Sequence, residues 1–162
     1  MSRYHICNKW DFRFLKLARE VSTWSKDGTK IGAVLVRPDK TVASVGFNGL
    51  PRGIEDQDYL GNRELKNKFV IHAEQNAILF CSDKDTNNYT MYGWGLHPCA
   101  HCASVLAQKN IKRIVSIDAA KLASPSWKEA QFLAEEILKK CNIDNDHYTI
   151  EEFEEDYEYI NK

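Results

Sequence analysis

The chain has 162 residues, with 22 basic and 23 acidic side chains, five cysteines and 43% apolar residues. This length suits one domain with a substantial hydrophobic core, and the composition excludes wholesale disorder. The longest apolar run, Ile31–Val36, is far shorter than the roughly 20 residues that a membrane span requires. Because the first nine residues contain no hydrophobic signal core and the odd cysteine count argues against a disulfide framework, we expect a cytoplasmic protein without membrane contacts.

The charge is balanced overall but uneven along the chain. The formal net charge is −1, whereas proteins that bind nucleic-acid backbones usually have a basic excess, so a nucleic-acid partner is disfavoured. Residues 1–68 carry a net charge of +5 and the remainder −6. Chance clustering explains this asymmetry as well as a small anionic ligand on the first half does, so both interpretations stay open.

Apolar spacing predicts an amphipathic helix over Trp10–Trp24. A turn at residues 26–28 then leads into a buried strand, Ile31–Val36. A second strand, Thr41–Phe47, follows turn residues and completes a hairpin. The segment after it, to about Lys68, is polar and contains turn residues, which indicates a loop.

Helices and strands alternate in the second half of the chain. The predicted elements are a helix from Ala73, a strand within Thr90–Leu96, a helix after Pro98, a strand at Ile111–Ile117 and a helix at Ser126–Cys141. Ser126 is the expected N-cap of the last helix. No internal repeat or linker-like segment interrupts residues 1–162, so we expect a single α/β domain in which helices cover a mixed sheet.

The segment from Thr149 to Lys162 is acidic, but its apolar residues keep helical spacing. We expect a short acidic helix whose aromatic face packs on the body of the domain. Packing of that face on a neighbouring subunit is the alternative.

Two short fragments carry the chemistry: residues 72–74 (His-Ala-Glu) and residues 98–102 (Pro-Cys-Ala-His-Cys). Cys99 and Cys102 are three residues apart at the start of a predicted helix, which places both sulfurs on one face where the helix dipole favours thiolates. His72, at the start of the preceding helix, offers a third zinc ligand. Three protein ligands leave one position of a tetrahedral zinc for water, as in catalytic sites, and Glu74 is placed to accept a proton.

A structural zinc site is the alternative interpretation of these fragments. Such a site would need a fourth ligand, for which His97, His101 or Cys81 are the candidates. The combination of the two fragments nevertheless matches the H-x-E…P-C-x-x-C signature of zinc deaminases.

On these residues the chain resembles the cytidine and deoxycytidylate deaminase superfamily over about Trp10–Ile117, some two thirds of its length. Four segments carry the resemblance: Ser25–Val34, Gly46–Gly53, His72–Ile78 and Pro98–Ala103. The last two identify the superfamily, and the first two are similar to the branch that acts on deoxycytidylate (dCMP).

The resemblance implies a three-layer α/β/α fold with a central five-stranded mixed sheet. It implies that His72, Cys99 and Cys102 ligate one catalytic Zn²⁺ per subunit and that Glu74 is the catalytic proton shuttle. It also implies that Asn48 holds the deoxyribose hydroxyl and that the Ala73 N–H reaches the pyrimidine carbonyl. A homo-oligomer, commonly a hexamer, is implied as well, with dCTP and dTTP as possible effectors.

A nucleotide phosphate needs cationic or N–H-rich partners, and the first two matched segments contain several candidates. They are Ser25, Lys26, Lys30 and Arg52. Solvated surface charge is the alternative for each, and Arg52 is also compatible with a triphosphate. Glycines within the third strand suggest a bulge or a close backbone approach, so Trp94 and His97 are candidates to line the base pocket, with packing under the metal loop as the alternative.

The resulting expectation is hydrolytic deamination of dCMP to dUMP and ammonia, which supplies a precursor for dTMP synthesis. The same chemistry on dCTP or a 5-modified dCMP is the alternative. Deamination of a polynucleotide such as tRNA or single-stranded DNA is less compatible with the net charge. A zinc-stabilised binding module without catalysis would have no need of Glu74.

Overall fold

The computed structural model describes residues 9–59, 61–118 and 125–154. The strands are β1 (Gly32–Val36), β2 (Val42–Phe47), β3 (Thr90–Trp94), β4 (Arg113–Ile117) and β5 (Asp144–Tyr148). The helices are α1 (Lys9–Ser22), α2 (Arg63–Phe69), α3 (Ala73–Leu79), α4 (Ala100–Gln108) and α5 (Pro125–Lys140), with a 3₁₀ turn at Asp56–Tyr59.

The five strands form one sheet in the order β2-β1-β3-β4-β5. Strand β1 is antiparallel to both β2 and β3, whereas β3, β4 and β5 are parallel to one another. The parallel connections therefore need crossovers, which α4 and α5 provide. The predicted hairpin and the predicted mixed five-stranded sheet are confirmed.

Side chains that alternate along the strands divide the core into two layers. Leu35, Met91 and Ile114 point to the face covered by α3, α4 and α5. Val34 and Tyr92, one residue away along their strands, point to the face covered by α1. The three-layer α/β/α arrangement is therefore the one expected for strands that are apolar on both faces.

Two elements were not predicted from the residue patterns. Strand β5 has the sequence Asp-Asn-Asp-His-Tyr, which lacks apolar alternation because the strand lies at the edge of the sheet. Helix α2 buries no side chain, so it has no apolar face to reveal it within the predicted loop. Ser126 is the second residue of α5, inside the helix, which corrects its assignment as the N-cap.

The glycines near the end of β3 differ in their roles. Gly93 pairs in continuous register with Ala33 and Ser116, so the strand has no bulge there. Gly95 adopts a φ of +113°, and a Cβ at this position would lie 2.7 Å from the Lys30 carbonyl oxygen. The expected close backbone approach therefore occurs at Gly95, just after the strand.

A buried ion pair connects α1 to the sheet. The Asp11 carboxylate is 1% exposed and accepts two hydrogen bonds of 2.7 Å from the Arg113 guanidinium. The hydroxyl of Tyr92 donates a further hydrogen bond to Asp11, and Arg113 also pairs with Asp146. These contacts satisfy the buried charge and fix α1 across β3 and β4.

The acidic C-terminal segment packs on the α1 side of the sheet as far as the structure describes it. Phe153 is buried, and its ring centroid lies 5.7 Å from that of Phe12 and 5.2 Å from that of Trp94. The rest of the predicted acidic helix, 155–162, lies outside the described residues. No helix within the described ranges combines the length and apolar character needed to cross a bilayer.

Candidate active site

Three metal-ligating side chains meet at the starts of α3 and α4. The Nδ1 atom of His72 lies 3.5 Å from the Cys99 sulfur and 3.3 Å from the Cys102 sulfur. Tetrahedral zinc with ordinary bond lengths would place such donor atoms about 3.5–3.8 Å apart. The spacing and the His-Cys-Cys chemistry therefore both fit zinc, for which the three side chains would be ligands.

Helix capping explains why these side chains converge. His72 is the N-cap of α3, and its backbone N–H donates to the side-chain oxygen of Gln75 at 2.9 Å. Cys99 is the N-cap of α4, and its sulfur accepts from the backbone N–H of Cys102. Both ligand-bearing turns thus lie at the positive ends of helix dipoles, where thiolates are favoured. Gln75, three residues after the cap, thus supplies the reciprocal bond of a capping box.

The position of α3 depends on a close approach to β2. A Cβ on Gly46 would lie 2.3 Å from the Ala73 carbonyl oxygen and 2.4 Å from the Ala77 amide nitrogen. Only glycine allows the helix to come this near the strand. Gly46 therefore sets how far the first turn of α3, with His72 and Glu74, sits from the sheet.

Glu74 lies on the same first turn and is only 4% exposed. Burial raises the pKa of its carboxyl group, because the charged form loses its hydration. The nearby imidazole of His72 acts in the opposite direction. A carboxyl group with a raised pKa can both accept and return a proton near neutral pH, which is the requirement for a proton shuttle.

The surroundings shift the pKa values of the two thiols in opposite directions. The hydrogen bond from Cys102, followed by that from His72, lowers the pKa of Cys99 to about 3. The hydrogen bond to Cys99 and burial raise the pKa of Cys102. The hydrogen bond with Cys99 also raises the pKa of His72. Since thiolates are the form that ligates a metal, metal binding would displace the thiol protons that remain.

The candidates for a fourth protein ligand lie elsewhere. Cys81 follows the C-cap of α3 and packs against the core, and His101 is exposed on α4. The His97 ring nitrogens face Pro98 and Asn145. Within the described part of the chain, the metal-ligating group consists of His72, Cys99 and Cys102 alone. A zinc ion held by these three donors would keep one coordination position for water or substrate, as in catalytic zinc sites.

The metal cluster opens into a cavity of about 930 Å³. Glu74, His72 and Cys99 line one part of it, and basic side chains line another. The lining residues are Lys26, Asp27, Gly28, Thr29, Ile31, Asn48, Asp56, Gly61, Arg63, Lys66, Asn67, His72, Ala73, Glu74, Leu96, His97, Cys99 and Trp127. This volume suits a ligand the size of a nucleotide.

Asn48 and Ser25 organise the wall of this cavity. The Asn48 amide donates to the Thr29 carbonyl at 2.8 Å and accepts from the Ile31 N–H at 2.9 Å, which leaves it one further N–H and one lone pair. Ser25 is buried and does not line the cavity, and its hydroxyl donates to the backbone carbonyl of Asn48. The Lys30 ammonium donates to the Ser25 carbonyl. Ser25 and Lys30 therefore support the loop, whereas Lys26 lines the cavity itself.

Two predicted binding residues are placed away from the cavity. The Arg52 guanidinium lies 5.0 Å above the Phe80 ring, a cation–π contact on the outside of the domain. Trp94 packs on the α1 side of the sheet, between Phe153 and Arg19. The structure therefore brings neither side chain into the cavity: strand alternation turns Trp94 to the opposite face of the sheet, and the loop path carries Arg52 outward.

His97 lines the cavity although it is only 1% exposed. Its Nδ1 donates to the Pro98 carbonyl at 2.9 Å, and its backbone N–H donates to Asp118 at 2.7 Å. These bonds hold the backbone that enters Cys99. His97 thus combines both roles considered for it, a cavity wall and a support of the metal loop.

Several cavity residues were missed by the sequence analysis. Arg63, Lys66 and Asn67 come from α2, which was assigned to a loop, and Trp127 comes from the first turn of α5. Nothing in the local sequence brings these positions next to the metal fragments. An i, i+3 pair of basic residues within the positively charged half was the one available signal.

Comparison with known proteins identifies the family of this site. A family model described as the cytidine and deoxycytidylate deaminase zinc-binding region matches residues 8–117, which include all three metal donors. An uncharacterised deaminase of Aliivibrio fischeri is 33% identical over 86% of this chain and 93% of its own length. A probable deoxycytidylate deaminase of Caenorhabditis elegans is 36% identical and the human deoxycytidylate deaminase 32% identical; the matches cover 65% and 66% of this chain but only 56% and 64% of those proteins.

The fold is shared with a solved structure. The dCMP deaminase of cyanophage S-TIM5 in complex with dCMP and dUMP superposes with a TM-score of 0.68 at 22% identity, over 89% of this chain and 100% of that one. Its apo form gives a TM-score of 0.65 at 21% identity. The family domain and the donor chemistry agree on zinc as the ion of the His72–Cys99–Cys102 cluster. The chain therefore belongs to the cytidine and deoxycytidylate deaminase family.

Proposed function

We propose that this protein catalyses the hydrolytic deamination of dCMP to dUMP and ammonia. The observation that carries the proposal is the buried Glu74 carboxyl beside a three-donor zinc cluster in a cavity that also contains Lys26, Arg63 and Lys66. The first group supplies hydrolytic chemistry and the second supplies charge for a phosphate. The relatives named deoxycytidylate deaminases support the same substrate.

The reaction replaces the C4–NH₂ bond of cytosine with a C4 carbonyl and consumes one water. Zinc, when bound, supplies Lewis-acid activation of that water. Glu74 accepts a proton from the water and delivers it to N3 of the base as the water oxygen bonds to C4. It then accepts the remaining proton of the C4 hydroxyl and delivers it to the amine, so that the C4–N bond breaks, ammonia leaves and the C4 carbonyl forms. Burial suits Glu74 to both steps, because the raised pKa reduces the free-energy difference between its carboxylate and carboxylic acid forms at neutral pH.

The remaining cavity residues would orient the nucleotide. The free N–H of Ala73, at the start of α3, is proposed to donate to the pyrimidine carbonyl, and Asn48 to use its remaining hydrogen-bonding capacity on the deoxyribose hydroxyl. Lys26, Arg63 and Lys66 are proposed to bind the 5′-phosphate. Positioning of this kind lowers the barrier by holding C4 in place before attack.

A substrate panel tests the proposal. Zinc-loaded protein is incubated with dCMP, dCTP, 5-methyl-dCMP, deoxycytidine, CMP and single-stranded DNA, and ammonia and the uracil product are measured for each. We expect dCMP to have the highest kcat/KM. Activity confined to single-stranded DNA, or no activity on any nucleotide by protein with stoichiometric zinc, would refute it.

Assembly and control are further parts of the proposal. We propose that the chain forms a homo-oligomer, with a hexamer favoured, and that dUMP supplies dTMP synthesis. Light scattering coupled to size exclusion measures the first property. Repetition of the dCMP assay with dCTP and dTTP added tests whether these nucleotides are effectors.

A further inference from the structure

Helix α2 contributes to the cavity rather than to the core. None of its side chains is buried, whereas Arg63, Lys66 and Asn67 all line the cavity that contains Glu74. Arg63 and Lys66 are three residues apart, so they share one face of the helix. The side of α2 that faces the domain therefore presents charge instead of apolar packing.

Lys66 lies between two carboxylates that line the same cavity. Its ammonium nitrogen is 4.0 Å from the Asp27 carboxylate and 3.9 Å from the Asp56 carboxylate. Asp27 follows α1 and Asp56 opens the 3₁₀ turn, so the two anions approach Lys66 from separate segments. The side chains of Lys66 and Asp27 are 25% and 23% exposed and that of Asp56 is 41% exposed, so solvent screens the Asp56 pair more than the Asp27 pair.

The charges around this part of the cavity favour a single phosphoryl group. Among the described residues that line the cavity, the cations are Lys26, Arg63 and Lys66, and the carboxylates near Lys66 are Asp27 and Asp56. A phosphate monoester carries about −1.5 to −2 charges and can be matched by the cations. Each further phosphoryl group would add negative charge beside Asp27 and Asp56, where like charges repel.

We propose that Asp27, Lys66 and Asp56 form a selectivity cluster that binds the phosphate of a nucleoside monophosphate and rejects nucleoside di- and triphosphates. The inference rests on the proposed function, since it takes the same cavity as the nucleotide site. Lys66 supplies the attraction. The two carboxylates hold its ammonium in place and repel additional phosphates.

Two substitutions separate attraction from rejection. Asp56→Asn keeps the shape of the side chain and removes one negative charge. Lys66→Met keeps most of the stem and removes the positive charge. Asp27 is unsuitable for this test because its carboxylate also accepts the Thr29 N–H within the loop. Glu55→Gln is the matched control, since Glu55 is an exposed acidic neighbour outside the cavity lining.

Calorimetric titration of zinc-loaded protein with dUMP, dUTP and deoxyuridine measures the selectivity without turnover. Titrations of dUTP are repeated with saturating dUMP, so that only the shared site is counted. We expect Asp56→Asn to raise dUTP affinity relative to dUMP about tenfold, and Lys66→Met to weaken dUMP at least tenfold with deoxyuridine unchanged. Glu55→Gln should leave all three affinities unchanged.

The outcomes distinguish this inference from the proposed function. An unchanged dUTP-to-dUMP affinity ratio in Asp56→Asn overturns the selectivity cluster, whatever the deaminase activity. Equal weakening of dUMP and deoxyuridine in Lys66→Met overturns the phosphate assignment. If the zinc-loaded wild-type protein binds dUMP with the expected selectivity but does not deaminate dCMP, the proposed reaction is refuted and the cluster is supported.

Discussion

Substitution of Gly46 by alanine tests whether the spacing between β2 and α3 controls the metal centre. The added Cβ would lie 2.3 Å from the Ala73 carbonyl oxygen and 2.4 Å from the Ala77 nitrogen, whereas ordinary contacts begin at 3.4 Å. Both obstructing atoms belong to the helix backbone, so a side-chain rotation cannot relieve the clash. The first turn of α3 must therefore move outward by about 1 Å, and His72 and Glu74 must move with it.

Overpacking of this kind typically destabilises a protein by about 1–3 kcal/mol, and two backbone clashes place Gly46→Ala at the upper end. For a chain of this size, about 3 kcal/mol lowers Tm by roughly 6–12 °C. A displacement of about 1 Å in a catalytic group costs about 10²-fold in rate. We therefore expect lower Tm, weaker zinc retention and about a hundredfold lower kcat.

Gly49→Ala is the matched control. Gly49 lies three residues away, nothing lies within 4 Å of its added Cβ, and its φ is not in the left-handed region. Thermal unfolding, zinc content by elemental analysis and kcat on dCMP are measured for both variants. Wild-type Tm and kcat in Gly46→Ala would show that the close approach does not position α3, and equal losses in Gly49→Ala would show that the effect is not specific to it.

Four further substitutions test separate parts of the site and its support. Glu74→Gln should retain zinc but lose about 10²–10⁴-fold in kcat, and a wild-type rate would remove Glu74 from the proton transfers. Cys99→Ala should lose stoichiometric zinc by elemental analysis, whereas the exposed Cys141→Ala should retain it. His97→Phe removes the imidazole N–H that donates to the Pro98 carbonyl and should increase the rate at which a chelator removes zinc about tenfold. An unchanged rate would show that His97 only lines the cavity and does not support the metal loop. Asp11→Asn should lower the free energy of unfolding by about 3–5 kcal/mol in urea titrations, because it leaves the Arg113 charge partly buried without its main partner, and a loss below about 1 kcal/mol would contradict this.

The elements that could be predicted from the sequence are those with a local apolar pattern. The helix from Trp10 and the strands of the hairpin have strong apolar periodicity, because each packs one or both faces against the core. Strand β5 and helix α2 have no such pattern. Strand β5 is held by backbone pairing to β4 at the sheet edge, and α2 buries no side chain, so neither needs apolar residues to form.

The same distinction applies to the candidate site: some of its residues belong to local sequence patterns, and others reach it only through the path of the folded chain. His72, Cys99 and Cys102 were recognisable because each lies in a short fragment with characteristic spacing: His72 is two residues from Glu74, and Cys99 is three residues from Cys102. The basic wall was not, because Arg63 and Lys66 reach the cavity only through the path of a loop and a short helix. Arg52 shows the opposite case, since it lies within a matched segment but its guanidinium stacks on Phe80, outside the cavity lining.

The geometry of the metal centre depends on the packing of two core helices, α3 and α4. His72 and Cys99 are the N-caps of α3 and α4, so each ligand stands at the start of a helix that packs against the core. The donor atoms can converge only when both helices are docked, since their backbones fix where the two caps lie. Zinc binding must therefore favour the docked state over the unfolded chain, and removal of zinc should lower Tm as well as activity. A chelator-treated protein with unchanged Tm would show that the two helices dock independently of the ion.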